Sequence, residues 1–189
     1  TIATIHLLAG WLWYLHGWKF GLPLLFSLHG VMIYAALYPH SQIYGRLVRR
    51  FETDTKDVWL TIDDGPAEDT AAILELLELH QAKATFFLVG ERVEERADDV
   101  RAIVAHGHEI GNHTFTHPAR TFWAALPGSI ETQIRRTQDL LERLTGIRPR
   151  LFRSPVGFKS PLLHPILESM DLKLVGWSAR GFDGVGSDV

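Results

Sequence analysis

Cysteine is missing from all 189 residues of the chain. Its absence excludes a disulfide framework, a thiolate metal site and a cysteine nucleophile. A surplus of positive charge is missing too: 19 Lys and Arg stand against 22 Asp and Glu, a formal net charge of −3. Without a clustered basic face there is no footing for a nucleic-acid partner. No internal repeat or low-complexity tract is visible. The length suits one domain with a real core and is short for two.

Hydrophobic residues are plentiful, at 46% of the chain, and unevenly spread. The first forty residues hold the excess. One apolar run covers Ile2 to Trp18, with Trp11, Trp13 and Tyr14 inside it and His6 and His16 interrupting it. A second extends from Phe20 to Tyr38. A membrane-spanning helix needs about 20 mostly apolar residues, so the second run qualifies and the first is marginal. Aromatic flanks fit a lipid–water boundary. Residues 1–40 are therefore expected to be helical and membrane-embedded, the alternative being an apolar hairpin packed on the domain or inside an oligomer. No small-residue cleavage site follows the first run, which disfavours a removable signal peptide. Arg46, Arg49 and Arg50 behind the second run lean toward a cytoplasmic flank, although a long folded domain can cross regardless, so the side is left open.

Residues 41–56 read as a polar connector and 57–189 as a catalytic domain. Thr1 and the closing GFDGVGSDV read as the cut ends of a longer protein. Within the domain, Val58–Ile62 predicts a strand, Asp69 caps a helix running to His80, and Ala84–Val89 is a buried-strand run. A helix over Ala97–Ala105 stops at Gly107, and His108–Gly111 is extended. Ser129 caps a helix to Thr145 that Gly146 ends. Leu151–Arg153, a helix over Leu162–Met170 and a strand over Lys173–Trp177 follow. Such alternation implies an α/β fold with a mostly parallel sheet, open or closed into a barrel.

Three clusters each follow a predicted strand, at the edge where parallel folds build their sites. The first, Thr61-Ile62-Asp63-Asp64-Gly65-Pro66, sets two carboxylates side by side; a bound cation would relieve their repulsion, and an acidic turn is the plainer reading. The second is His113-Thr114-Phe115-Thr116-His117, whose i and i+4 imidazoles could share one helical face and one metal ion. His106 and His108 just upstream read as strand-edge or helix-end residues. The third, Arg153-Ser154-Pro155-Val156-Gly157, offers an Arg able to orient a carboxylate. Taken jointly, one carboxylate and two imidazoles leave metal positions open for catalysis, and the second carboxylate is free to act as a base toward water.

In this order TIDDGP, HTFTH and RSPVG resemble the first three motifs of the polysaccharide deacetylases (NodB homology, carbohydrate esterase family 4), and ATFFLVGE and GHEIGNHTFTHP resemble that family's framework. The resemblance covers about Asp57 to Asp183. It implies an irregular (β/α) barrel of fewer than eight repeats, incomplete at its C-terminal side here. It also implies a divalent metal, Zn²⁺ in the first place, on Asp64, His113 and His117. Asp63 then corresponds to the catalytic base and Arg153 to the residue holding it. The backbone after Pro155, at Val156 and Gly157, corresponds to the oxyanion contact, and Trp177 to a wall for the acyl methyl.

Two departures stand out. The fourth motif becomes Trp177-Ser178-Ala179-Arg180-Gly181-Phe182-Asp183, with Asp183 a loose match for its carboxylate. A fifth motif, a late Leu-x-His whose imidazole is the general acid, has no match after Asp183. The implied reaction is hydrolysis of N-acetyl or N-formyl groups from amino sugars of a polysaccharide or glycoconjugate. The alternatives are a deacylase of a lipid-linked sugar, a carbohydrate-binding pseudoenzyme in a membrane complex, or a non-sugar amidase on the same fold.

Overall fold

Buried strands of a parallel sheet are covered on both faces and so read as continuous apolar runs. Ala84–Leu88 (ATFFL) is such a run, and all five of its residues are buried. In the computed structural model, which describes residues 2–181, it is the second of five strands. These are β1 Leu60–Gly65, β2 Ala84–Leu88, β3 Glu109–Asn112, β4 Leu151–Phe152 and β5 Lys173–Leu174. All pair in parallel in the order β1-β2-β3-β4-β5. Sequential parallel strands with helical crossovers make a right-handed α/β winding, the way an arc of a (β/α) barrel is built. Among the described residues the arc is open, with β1 and β5 at its ends.

The two faces of β2 do different jobs, because successive side chains alternate. Ala84, Phe86 and Leu88 pack into a core with Leu74, Leu77, Val93, Val100, Ile103, Ile110 and Leu141 from the helices. Thr85 and Phe87 face the other way. Thr85 accepts a bond from Trp59 Nε1 at 2.8 Å, and the Phe87 ring lies 4.2 Å beneath the Arg153 guanidinium. One face is thus apolar and the other carries polar groups. A second core gathers Phe122, Ile130, Ile134, Phe152, Leu163, Leu167 and Leu174.

The helices are α1 Ile2–His16, α2 Trp18–Leu37, α3 Thr70–Leu79, α4 Gly90–Glu95, α5 Ala97–Ala105, α6 Pro127–Thr145 and α7 Leu163–Ser169. α3 starts after Asp69 as expected, with Leu74 and Leu77 buried, whereas Leu76 is 56% exposed because it sits outside that stripe. α6 begins two residues before Ser129, since Pro127 takes the first helical turn and Leu126 the cap position. Gly146 ends it at φ 70°. The predicted first strand begins later than Val58 and continues through both aspartates to Gly65.

At the N-terminus α1 and α2 form an apolar hairpin. They approach closely at Gly21, where an added Cβ would lie 2.6 Å from Trp13 Cβ. Trp11, Trp13, Tyr14, Trp18, Phe20 and Phe26 are exposed on its surface. The 20-residue α2, with a mean hydropathy of 1.7, is long and apolar enough to cross a membrane. The stretch 41–56 is more than a spacer. Leu47 enters the second core, and Val48 bridges Val175 beside β5, with Gly176 N–H donating to Val48 O at 2.8 Å.

Gly111 on β3 backs directly onto Phe87, and a Cβ there would sit 2.6 Å from the ring. Gly111→Ala is expected to cost about 1–3 kcal/mol, the usual range for overpacking a tight core. A drop of the urea midpoint at unchanged slope checks it; an unchanged midpoint would refute the tight fit.

Candidate active site

Adjacent carboxylates at a strand end would repel if they shared one environment. The backbone separates them. Asp64 adopts φ 63°, a left-handed setting that Asp tolerates better than most residues. Asp63 is directed toward β4 and β5, and Asp64 toward the loop after β3. Arg92 donates to the Asp64 carbonyl and fastens this turn to α4.

Asp63 is held at both oxygens. Arg153 Nη1 donates to Oδ1 at 2.6 Å, and Trp177 Nε1 donates to Oδ2 at 3.2 Å. Arg153 is 1% exposed. Its remaining contacts are Thr61 Oγ1 at 2.8 Å, Gly176 O at 3.2 Å, and the faces of Phe87 and Trp177. Burial lowers the pKa of this guanidinium and the Asp63 charge opposes that. Trp177, expected from the resemblance to wall a pocket, thus also grips Asp63, and Arg180 stacks over its ring at 4.4 Å.

Asp64, His113 and His117 offer ligand atoms that all lie within 4.8 Å of one another. His117 Nε2 is 3.3 Å and His113 Nε2 3.6 Å from Asp64 Oδ1. The two imidazoles do not share a helical face, as their i, i+4 spacing suggested. They meet across a loop in which Thr114 (φ 68°) and His117 (φ 51°) are left-handed. Asn112 and Gln133 hold that loop. Asn112 Oδ1 accepts from Thr114 N–H at 2.9 Å, and Gln133 Oε1 accepts from Phe115 and Thr116 N–H at 2.9 and 2.8 Å.

The donor chemistry suits a cation. His113 is buried, and its Nδ1 lies 2.7 Å from Arg153 O. A carbonyl only accepts, so Nδ1 carries the proton and Nε2 keeps its lone pair for the cluster. Burial also pushes this imidazole below its ordinary pKa and favours the neutral form that binds metal. A carboxylate and two neutral imidazoles form a three-ligand set with positions left open.

Pro155, Val156 and Gly157 make a short 3₁₀ turn after β4. Val156 stands at φ 48° and Gly157 at φ 77°. A left-handed β-branched residue is strained by about 1–3 kcal/mol and persists only where its surroundings dictate it. Asp183 lies outside the described residues. His106 and His108 are away from the cluster: Lys83 reaches the His106 carbonyl, and His108 packs on Phe86. Lys159, in sequence only one basic residue in a loop, is 2% exposed behind the Pro155 turn.

Residues 50–175 match the family model for polysaccharide deacetylase. A peptidoglycan-N-acetylglucosamine deacetylase from Bacillus cereus is 38% identical over 138 residues, covering 70% of this chain and 48% of the relative. The structure of a wild-type family 4 pseudoenzyme from Bacillus anthracis matches with a TM-score of 0.65 at 30% identity, over 70% of this chain and 47% of that one. A family 4 carbohydrate esterase from Streptomyces lividans, in complex with acetate, matches with a TM-score of 0.64 at 32% identity, over 67% and 65%. The chain spans about half the length of the Bacillus cereus relative. Matched by the family model over most of its domain and carrying the three motifs in order, the chain belongs to the polysaccharide deacetylases of carbohydrate esterase family 4.

Proposed function

We propose that the protein is a metal-dependent hydrolase that removes N-acetyl groups from amino sugars of a polysaccharide such as peptidoglycan or a chitin oligomer. The observation that carries this reading is the pairing of two differently equipped carboxylates on one turn. Asp64 faces two imidazoles, and Asp63 is locked by Arg153 and Trp177. The named activities of relatives, including the Bacillus cereus enzyme and a chitooligosaccharide deacetylase from Azorhizobium caulinodans, support the substrate class.

Asp64, His113 and His117 would hold the metal, assigned as Zn²⁺, which supplies Lewis acidity toward the amide carbonyl and the attacking water. Asp63 is the base that takes the proton as water adds to the carbonyl carbon. Its bonds to Arg153 and Trp177 fix its aim. The backbone N–H of Val156 is the proposed donor to the oxyanion, and Gly157 and Trp177 bound the acyl side. The departing amine needs one proton, which Asp63 holds after the attack or a late fifth-motif histidine would bring. Asp183 is retained as a substrate-side candidate on the resemblance alone.

A second reading, a carbohydrate-binding pseudoenzyme, is favoured by the likeness to the Bacillus anthracis pseudoenzyme. Tight oligosaccharide binding without acetate release by the full-length protein would support it. We further propose that the α1–α2 hairpin lies in a membrane, on the length and hydropathy of α2 and the exposed aromatics. That placement would allow a lipid-linked sugar as substrate, including a formylated one. Assays on soluble oligomers and on polyprenyl-linked sugars separate the two.

Four outcomes are expected. Asp63→Asn should lower kcat on an N-acetylglucosamine oligomer by about 10²–10⁴-fold, the usual worth of a positioned base, with metal content unchanged; retained turnover would overturn the base assignment. His117→Ala should lose most bound zinc by elemental analysis, and chelation of the wild type should stop acetate release until zinc is restored. Finally, the full-length protein should stay with membranes through alkaline carbonate extraction, and its release would refute the membrane placement of the hairpin.

A further inference from the structure

The end of the apolar hairpin does not hang free of the site. Lys159 is buried beneath the Pro155–Gly157 turn, and its ammonium donates to Tyr38 O at 2.9 Å, Pro39 O at 2.8 Å and Gly157 O at 3.3 Å. An ammonium has three donors, and all three are spent. Two of the acceptors lie just past the last turn of α2, where the helix dipole is negative and a cation is favoured. The third is in the turn that holds Val156. The backbone strengthens the join, since Lys159 N–H donates to Ala36 O at 2.9 Å.

Packing closes the same seam. At Gly157 an added Cβ would lie 2.8 Å from Pro39 Cβ and 2.7 Å from the Trp177 ring. Pro39, Gly157 and Trp177 are therefore stacked in direct contact, and Trp177 in turn holds Asp63. Burial pushes the Lys159 pKa down to about 8, so the side chain stays charged at neutral pH.

We propose that Lys159 is a positioning residue for the site: it clamps the Pro155–Gly157 turn to the C-terminal end of α2. The hairpin then serves as one wall of the site's frame, and the left-handed setting of Val156 depends on it. This rests on the reading of that turn as the oxyanion contact. Lys159 touches no substrate; it acts through Gly157 and Pro39.

The test compares wild type with Lys159→Met in the full-length protein, by steady-state kinetics on an N-acetylglucosamine oligomer and by amide hydrogen exchange with mass spectrometry. Lys159→Met is expected to lower kcat at least tenfold with KM within twofold. Exchange in peptides covering 154–160 and 36–42 should speed up at least tenfold while peptides covering 84–112 keep the wild-type rate. Wild-type exchange at 154–160 in the variant, or faster exchange spread evenly over the sheet, would overturn the clamp. If wild type releases no acetate at all, the proposed hydrolysis fails, and the exchange pattern still decides the clamp. Lys159→Arg, which keeps the charge and the donors, should recover part of kcat, and a variant no better than Lys159→Met would count against a hydrogen-bonding role.

Discussion

A guanidinium at 1% exposure is tolerable only if its charge is met on the spot, because removing one partner of a buried ion pair typically costs about 3–5 kcal/mol. Arg153 meets the charge with Asp63 and its two terminal nitrogens with Asp63, Thr61 and the Gly176 carbonyl between two aromatic faces, and leaves its Nε without a partner. Its main chain is equally committed. The Arg153 N–H donates to Asn112 O at 3.0 Å, and its carbonyl accepts from His113 Nδ1. One residue at the end of β4 thus aims the proposed base with its side chain and sets the tautomer of a proposed ligand with its backbone. β1, β3 and β5 are tied through it, so the sheet's register and the site's geometry cannot drift independently.

The loop after β3 obeys a related economy. Asn112 is fully buried and uses Oδ1 on Thr114 and Nδ2 on the Ile134 carbonyl and Gln138. Gln138 passes the chain of bonds to the Pro149 carbonyl, which precedes β4. Buried polar networks of this kind are costly when partly satisfied and rigid when complete. Here the network fixes left-handed Thr114, which lies between the two imidazoles in sequence, on a loop that carries no regular structure.

Strand centres and the α5 boundaries were readable in the sequence because burial leaves continuous apolar runs and a 3.6-residue period. The short α4, GERVEE, lacked such a stripe, and its place is set by packing of Gly90 against Phe115. The start of α6 differs from the sequence expectation because Ser129 is a good cap by type while Pro127 is the better first residue. The clusters around Asp63, Asp64, His113, His117 and Arg153 could be located from motif order. What joins them could not. A helical face and a loop with positive φ can present His113 and His117 to one point equally well, and only tertiary contacts from Gln133 and Asn112 decide between them. Lys159 was invisible for a plainer reason: a lysine in a loop reads as solvated unless the carbonyls that enclose it, here from residues 38 and 39, are known to be near.

The short path from α2 to the site also limits where the site can go. α2 ends at Leu37, and Pro39 already touches Gly157. A flexible tether of tens of residues would let a catalytic unit sweep a volume around its anchor. One intervening residue, Tyr38, allows no such search. With the hairpin seated in a bilayer, the site would sit at one height and one tilt above the surface, and the glycan would have to thread past it.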